Sequence, residues 1–240
     1  MNSDRLKGWR ILKPDWRVSL ATIFFCALAL TAANWQQDRA AFKAQLQARY
    51  DEQSAAAPAV VGAELVDPEV YDQRSVIVRG VYSPRYAVFL DNKVYNGRAG
   101  YQLLTPLRIE KSETYVLVNR GWVAQGPTRA QLPVVSTPSG VQEVEGIGVR
   151  PGDRFLELDE QTEQGALWQN LSLQKYRQWS GLRVQPVVIE QRSDAADGLI
   201  RDWPRPDFGI DKHRIYALQW YSFCFLALFL YVFFHIKRRD

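Results

Sequence analysis

No histidine precedes His213, and His235 is the second and last. That scarcity removes Ser-His and Cys-His nucleophiles from most of the chain, because such pairs need an imidazole as base. Cysteine is equally scarce. Cys26 and Cys224 both lie in uncharged apolar runs, so the region between them has no thiol for a disulfide. Two thiols without a spacing motif define no metal site, and intramembrane cysteine serves as small apolar filler. No Gly-rich phosphate loop, Cys-x-x-Cys, paired His-Glu zinc motif or Gly-x-Ser-x-Gly turn is present. A Ser-Lys hydrolase stays formally open through Ser112 or Ser172, but no spacing selects a lysine for either. The acids of "DRFLELDEQTE" read as a solvated loop. The sequence points away from an enzyme.

Charge is missing from two stretches, Val18–Trp35 and Ile215–Ile236. A membrane-spanning helix needs roughly 20 apolar residues at about 1.5 Å each. Both runs are of that order and apolar all round, which argues against amphipathic core helices. A cleaved signal peptide is the rival for the first run, with Thr31 and Ala33 ahead of a cut. The charged region before it is long and holds Pro14 and Asp15, which favours an uncleaved span.

The ends are basic. Residues 1–17 carry Arg5, Lys7, Arg10, Lys13 and Arg17, and the tail carries Lys237, Arg238 and Arg239. By the positive-inside rule both flanks are cytoplasmic. The expected order is a cytoplasmic N-terminus (1–17), a span (18–35), an outside, periplasmic domain (36–214), a second span (215–236) and a cytoplasmic tail (237–240), in the inner (cell) membrane. Setting aside the eight basic and three acidic residues of the flanks from totals of 30 and 26 leaves the middle domain at −1. It offers no cationic face for nucleic acid.

The first helix is expected to run on to about Gln53, with Phe42, Leu46 and Tyr50 at helical spacing. Residues 54–65 then read as a linker. Branched or alternating runs at 75–83, 86–92, 101–109, 114–123, 142–150 and 184–191 predict strands. One helix is expected over 171–182, stopped by Gly181. The fold class is an α+β membrane protein: two transmembrane helices flank a mainly antiparallel sheet or small barrel with one packed helix. Residues 193–210 are expected as an irregular return, with Trp203 at the membrane interface.

Two constellations remain. In "NRGW", Arg120, Gly121 and Trp122 read as a structural strand with a conformationally special glycine, the alternative being a docking surface. At the doorway of the second span, His213, Tyr216, Ala217 and Trp220 fall at i, i+3, i+4 and i+7 of one helix. They read either as an interfacial belt or as a site for a flat, iron-bearing ring, with an imidazole ligand, a small gap and aromatic walls.

In order along the chain, "NWQQDRAAFK", "GYQLLTPL", "VLVNRGWV", "GVRPGDRF" and "HRIYALQW" resemble the motifs of the surfeit-locus cytochrome c oxidase assembly family. Trp35, Gln36 and Arg39 stand in the first motif. Ala33 occurs where the family often has glycine, and Lys212 where it often has asparagine. The resemblance implies a non-enzymatic, chaperone-like assembly factor of the respiratory chain that assists haem a binding or insertion into the haem-containing oxidase subunit. It implies His213 as axial ligand of the haem iron, Tyr216 and Trp220 as pocket wall, and oxidase subunits and haem a synthase as partners. Trp35, Arg39, Arg120, Gly121 and Trp122 become candidates for partner docking or structure. The rivals are a membrane-anchored scaffold that steadies an immature oxidase or another envelope complex without binding haem, and the Ser-Lys hydrolase.

The charge bias predicts the topology. A reporter active only outside the membrane should be silent when fused after Asp240 and active when fused near Pro138; the opposite pattern overturns the assignment.

Overall fold

The structure, a computed structural model, describes residues 9–11, 15–126, 131–151, 163–204 and 206–238. Gly152, the acidic run 153–162, and Arg5, Lys7, Lys13, Pro14 and Arg239 lie outside the described residues. Along the chain the elements are β1 (Trp9–Ile11), α1 (Trp16–Ala55), β2 (Ala59–Val60), β3 (Ser75–Tyr82), β4 (Val88–Tyr95), β5 (Arg98–Ile109), β6 (Thr114–Ala124), β7 (Val141–Val149), β8 (Glu163–Gln164), β9 (Leu167–Trp168), α2 (Leu173–Ser180), β10 (Arg183–Gln191), α3 (Ile210–His235) and β11 (Ile236–Arg238). They form two units: Met1–Arg49 with Pro206–Asp240, and Tyr50–Arg205.

In the first unit α1 and α3 are both long and apolar enough to cross a membrane. Their large apolar side chains point outward: Ile23, Phe24 and Leu28 on α1, and Phe225, Phe233 and Phe234 on α3, are exposed. Such a surface suits lipid, and helical backbone satisfies its own hydrogen bonds there. The two helices meet along a seam of small residues. On α1 the seam follows Ser19, Thr22, Cys26, Ala29, Ala33, Gln36 and Ala40, each buried or half-buried, at alternating spacings of three and four. On α3 it follows His213, Ala217, Trp220, Cys224, Ala227 and Tyr231, also buried or half-buried. This is the heptad spacing that keeps one stripe facing a partner helix. Ala29 and Ala33 are fully buried, and Cys26, Ala29 and Cys224 form one cluster with Trp220 and Ala227 against it. Small side chains let the backbones approach, which supplies dispersion contact where lipid provides no hydrophobic drive. Polar bonds fix the register: Ser19 to Tyr231 at 2.7 Å, Asn34 to Tyr221 at 2.9 Å and Gln36 to His213 at 2.7 Å. At the far end β1 pairs antiparallel with β11.

The second unit is a mixed sheet closed into a barrel. β3 pairs with β7, β7 with β10, β10 with β6, β6 with β5, and β5 with β3 again. Within this ring only β6 and β10 run parallel. β4, β9 and β8 extend the sheet beyond β5, and the short β2 adds to β3 within the segment expected to be a linker. The interior holds Val76, Val78, Leu107, Val116, Val118, Val144, Val187 and Ile189. A second layer, with Leu104, Leu117, Val184 and Val188, lies beneath Trp168 and Tyr176. β6 therefore buries both faces, which is why "VLVN" shows no polar alternation.

α2 covers that second layer. Ser172 caps it by accepting the Lys175 amide, and Gly181 ends it in the left-handed region at φ 70°. Tyr176 is fully buried and donates its hydroxyl to the Tyr86 carbonyl at 2.7 Å.

The seam predicts that a membrane-permeant bis-maleimide will link Cys26 to Cys224 within one chain. The Cys26 thiol lies 3.7 Å from the Cys224 carbonyl oxygen. Mass spectrometry of the protein cleaved between the spans should recover the joined helices. Separate modification of both thiols without a link would contradict the seam.

Candidate functional site

His213 sits in the first turn of α3, half-buried in the seam. Its Nδ1 lies 2.7 Å from Oε1 of Gln36 on α1. A carbonyl oxygen only accepts, so the bond requires the proton on Nδ1 and, in the neutral ring, leaves Nε2 as a lone pair. Among the described residues no hydrogen bond reaches Nε2. The donor chemistry therefore suits a single axial bond to a haem iron.

The other expected members of this face separate. Ala217 is fully buried against α1, so it opens no gap for a flat ring. Trp220 is half-buried in the seam and meets Phe223 edge-on at 5.9 Å. Tyr216 is off the seam and 52% exposed. The heptad stripe explains the split: 213, 217 and 220 follow it, and 216 lies to one side. Trp35 is 57% exposed, and Arg39, one turn on, lies over the Phe42 ring at 5.8 Å. These form an outward strip of α1 beside the Gln36 position.

His235 ends α3. Its Nδ1 donates to the Tyr231 carbonyl at 2.6 Å, and the two rings lie 4.4 Å apart. Its tautomer thus matches that of His213, and position alone separates the two.

In the barrel, "NRGW" is a latch. Leu103 pairs with Gly121 and Leu104 with Asn119, so Arg120 is the extra residue of a β-bulge. Gly121 has φ +139°, and a Cβ there would lie 2.7 Å from the Ile200 carbonyl oxygen. Trp122 and Ile200 exchange backbone hydrogen bonds of 2.7 and 2.9 Å, which pin the return segment to β6. The Trp122 indole donates to the Lys93 carbonyl at 2.8 Å. Arg120 turns inward. Its side chain is 1% exposed, stands 5.2 Å over the Tyr82 ring, and donates to Thr137, the Ser136 carbonyl and Asp197.

Asp197, also 1% exposed, takes two further bonds from Arg201 at 2.8 and 2.6 Å. Burial alone would raise its carboxyl. Bonds from Arg201, the Leu199 amide and Arg120, with the Arg201 charge, hold it below the ordinary aspartate value. Burial pushes the Tyr82 hydroxyl up to about 12 against the Arg120 and Arg201 charges, so it stays protonated and donates to Gln191. Trp203 belongs to the same latch, its indole donating to the Gln191 carbonyl at 2.7 Å. Neither Asp197 nor Arg201 was expected; a charged pair inside an irregular segment leaves no periodic trace.

A cleft of about 260 Å³ lies among Pro68, Arg150, Ser172, Arg177 and Pro186. Among the described residues its lining holds no histidine, cysteine or acid. Ser172 is engaged as the α2 cap, and Ser112 bonds the Ile109 carbonyl at 3.0 Å within a turn. Among the described residues no group of three His, Cys, Asp or Glu could hold a metal ion.

The sequence matches the SURF1 family over residues 23–225. A SURF1-like protein of Drosophila melanogaster is 29% identical over 127 residues, an alignment that covers 46% of this chain and 41% of that protein.

The latch yields an acid test. Asp197 has a lowered folded-state pKa, so its contribution is complete above the unfolded value of about 3.9. It is lost as pH falls through the folded value. Unfolding followed against pH should show the parent losing stability below about pH 4. Asp197→Asn, which strands two buried guanidiniums, should already be weaker at neutral pH by about 3–5 kcal/mol. Equal stability of variant and parent at pH 7 would refute the latch.

Proposed function

The chain belongs to the SURF1 family, and from that premise we propose that it assists the assembly of cytochrome c oxidase by holding haem a at His213 for delivery to the haem-containing subunit. The observation that carries this reading is the His213–Gln36 bond, which leaves Nε2 as a lone pair at the end of an apolar helix. When bound, haem a supplies the redox-active iron of the oxidase and a long apolar tail suited to lipid. Nε2 of His213 would give one axial bond. Tyr216, off the seam, and the indole edge of Trp220 would flank the ring. One helix offers one ligand here, so the second position is left to water, another chain or the receiving subunit. Such incomplete ligation suits transfer rather than storage.

In this reading both termini are cytoplasmic and the barrel is periplasmic, as the basic flanks support. The barrel is a docking body and no reaction is assigned to it. Fold alone carries no activity. The exposed strip of Trp35, Arg39 and Phe42 favours a second contribution, docking of oxidase subunits or haem a synthase along α1. Were docking the whole function, the protein would be a scaffold without haem.

His213 and His235 are 22 residues apart on α3, roughly 33 Å at about 1.5 Å per residue, so they cannot share one iron within a chain. His213→Ala should lose most bound haem and oxidase assembly, while His235→Ala keeps both. Haem per protein, with membrane levels matched, measures this. Full haem with an unchanged spectrum in His213→Ala would remove the ligand assignment and leave the scaffold.

A further inference from the structure

We propose that Gln36 is the positioning residue that makes His213 competent as a ligand, by holding its proton on Nδ1 and its ring at a fixed angle. The inference rests on the reading of His213 as an axial ligand to haem iron. A neutral imidazole carries one proton shared between two nitrogens, and only the bare nitrogen can bind a metal. The Gln36 side chain reaches His213 from the other helix, with Oε1 2.7 Å from Nδ1. Both residues are half-buried, and they occupy facing positions of the seam. Ala33 on α1 and Ala217 on α3 are fully buried beside them, so the backbones come close enough for these two side chains to meet directly. Histidine ligands elsewhere are oriented in this way by a carboxylate, carbonyl or water on the second ring nitrogen. Here the acceptor is a side-chain amide from a separate span. Ligand competence therefore depends on the helices being paired.

His235 supplies an internal control. Its Nδ1 is held by the Tyr231 carbonyl of its own helix, a contact that no change at Gln36 touches. The chain has two histidines, so a histidine-labelled sample gives two ring systems, assigned by His235→Gln.

The test uses full-length protein in detergent, free of haem, labelled with 15N-histidine and held above about pH 8, where imidazole is neutral. The ring nitrogen shifts report which nitrogen carries the proton. In the parent, His213 should show a protonated Nδ1 and a bare Nε2. Gln36→Met should release that tautomer at His213 and leave His235 unchanged. Gln36→Glu, which can only accept, should retain it. Ferric haem titrated into the same samples should bind about 10-fold more weakly to Gln36→Met. Gln36→Glu should bind at parental strength or tighter. Three results overturn the proposal: a parent His213 protonated on Nε2, as a reversed amide would give; a Gln36→Met protein with the parental tautomer, whatever its affinity; or a shifted tautomer with unchanged affinity. His213→Ala binding ferric haem as the parent does would instead overturn the reading beneath it, since the tautomer is measured without haem.

Discussion

Two helices that present large apolar side chains to lipid gain little from hiding them against each other. What holds α1 to α3 is close approach, and close approach needs small residues on a single stripe. Cys26, Ala29, Ala33 and Ala40 on one helix, with Ala217 and Cys224 on the other, provide it. Everything proposed for the site follows from that contact. A bulkier pair at 33 and 217 would separate the backbones, and Gln36 would no longer reach His213. The seam also explains why the four aromatic and polar residues at the start of α3 do not form one open wall. The stripe claims Ala217 and part of Trp220, turns His213 toward α1 and leaves Tyr216 outside.

The barrel solves a different problem. Its chain must leave β10 and return toward α3 through an irregular segment, and irregular backbone has few ladder bonds to hold it. Arg120, pushed inward by a bulge, meets Asp197 and Arg201 from that segment, and Gly121 lets Ile200 lie against β6. A buried carboxylate shared by two guanidiniums is costly to desolvate, yet removing one partner costs more. Such a trio fixes one path for the return segment. It gives the barrel a defined end without disulfides, in keeping with its lack of cysteine.

Much of this was legible in the sequence, for physical reasons. The spans were visible because uncharged runs of that length have few other uses. The six main strands were visible because branched residues cluster between Gly, Pro and Asn, and α2 because Ser172 and Gly181 punctuate it. The closure of the barrel was not, since the pairing of β3 with β5 and the parallel step from β6 to β10 depend on contacts distant in sequence. Gln36 lay within a quoted motif and on the three-four spacing of Cys26, Ala29 and Ala33, yet an apolar run reads as uniform until its small residues are counted. Asp197 and Arg201 left no pattern at all. The inward turn of Arg120 was not legible either, because alternation cannot anticipate a bulge.

The chain is thus a member of the SURF1 family with two candidate membrane spans, and the proposed haem site is one imidazole held between them. The central claim is that this imidazole meets haem a. The most direct measurement is the haem content and visible spectrum of the intact protein, purified in detergent from cells able to make haem a. The account predicts haem a bound through a histidine, and no haem in protein whose helices have been prevented from pairing. Protein that copurifies with oxidase subunits and carries no haem under those conditions would contradict it.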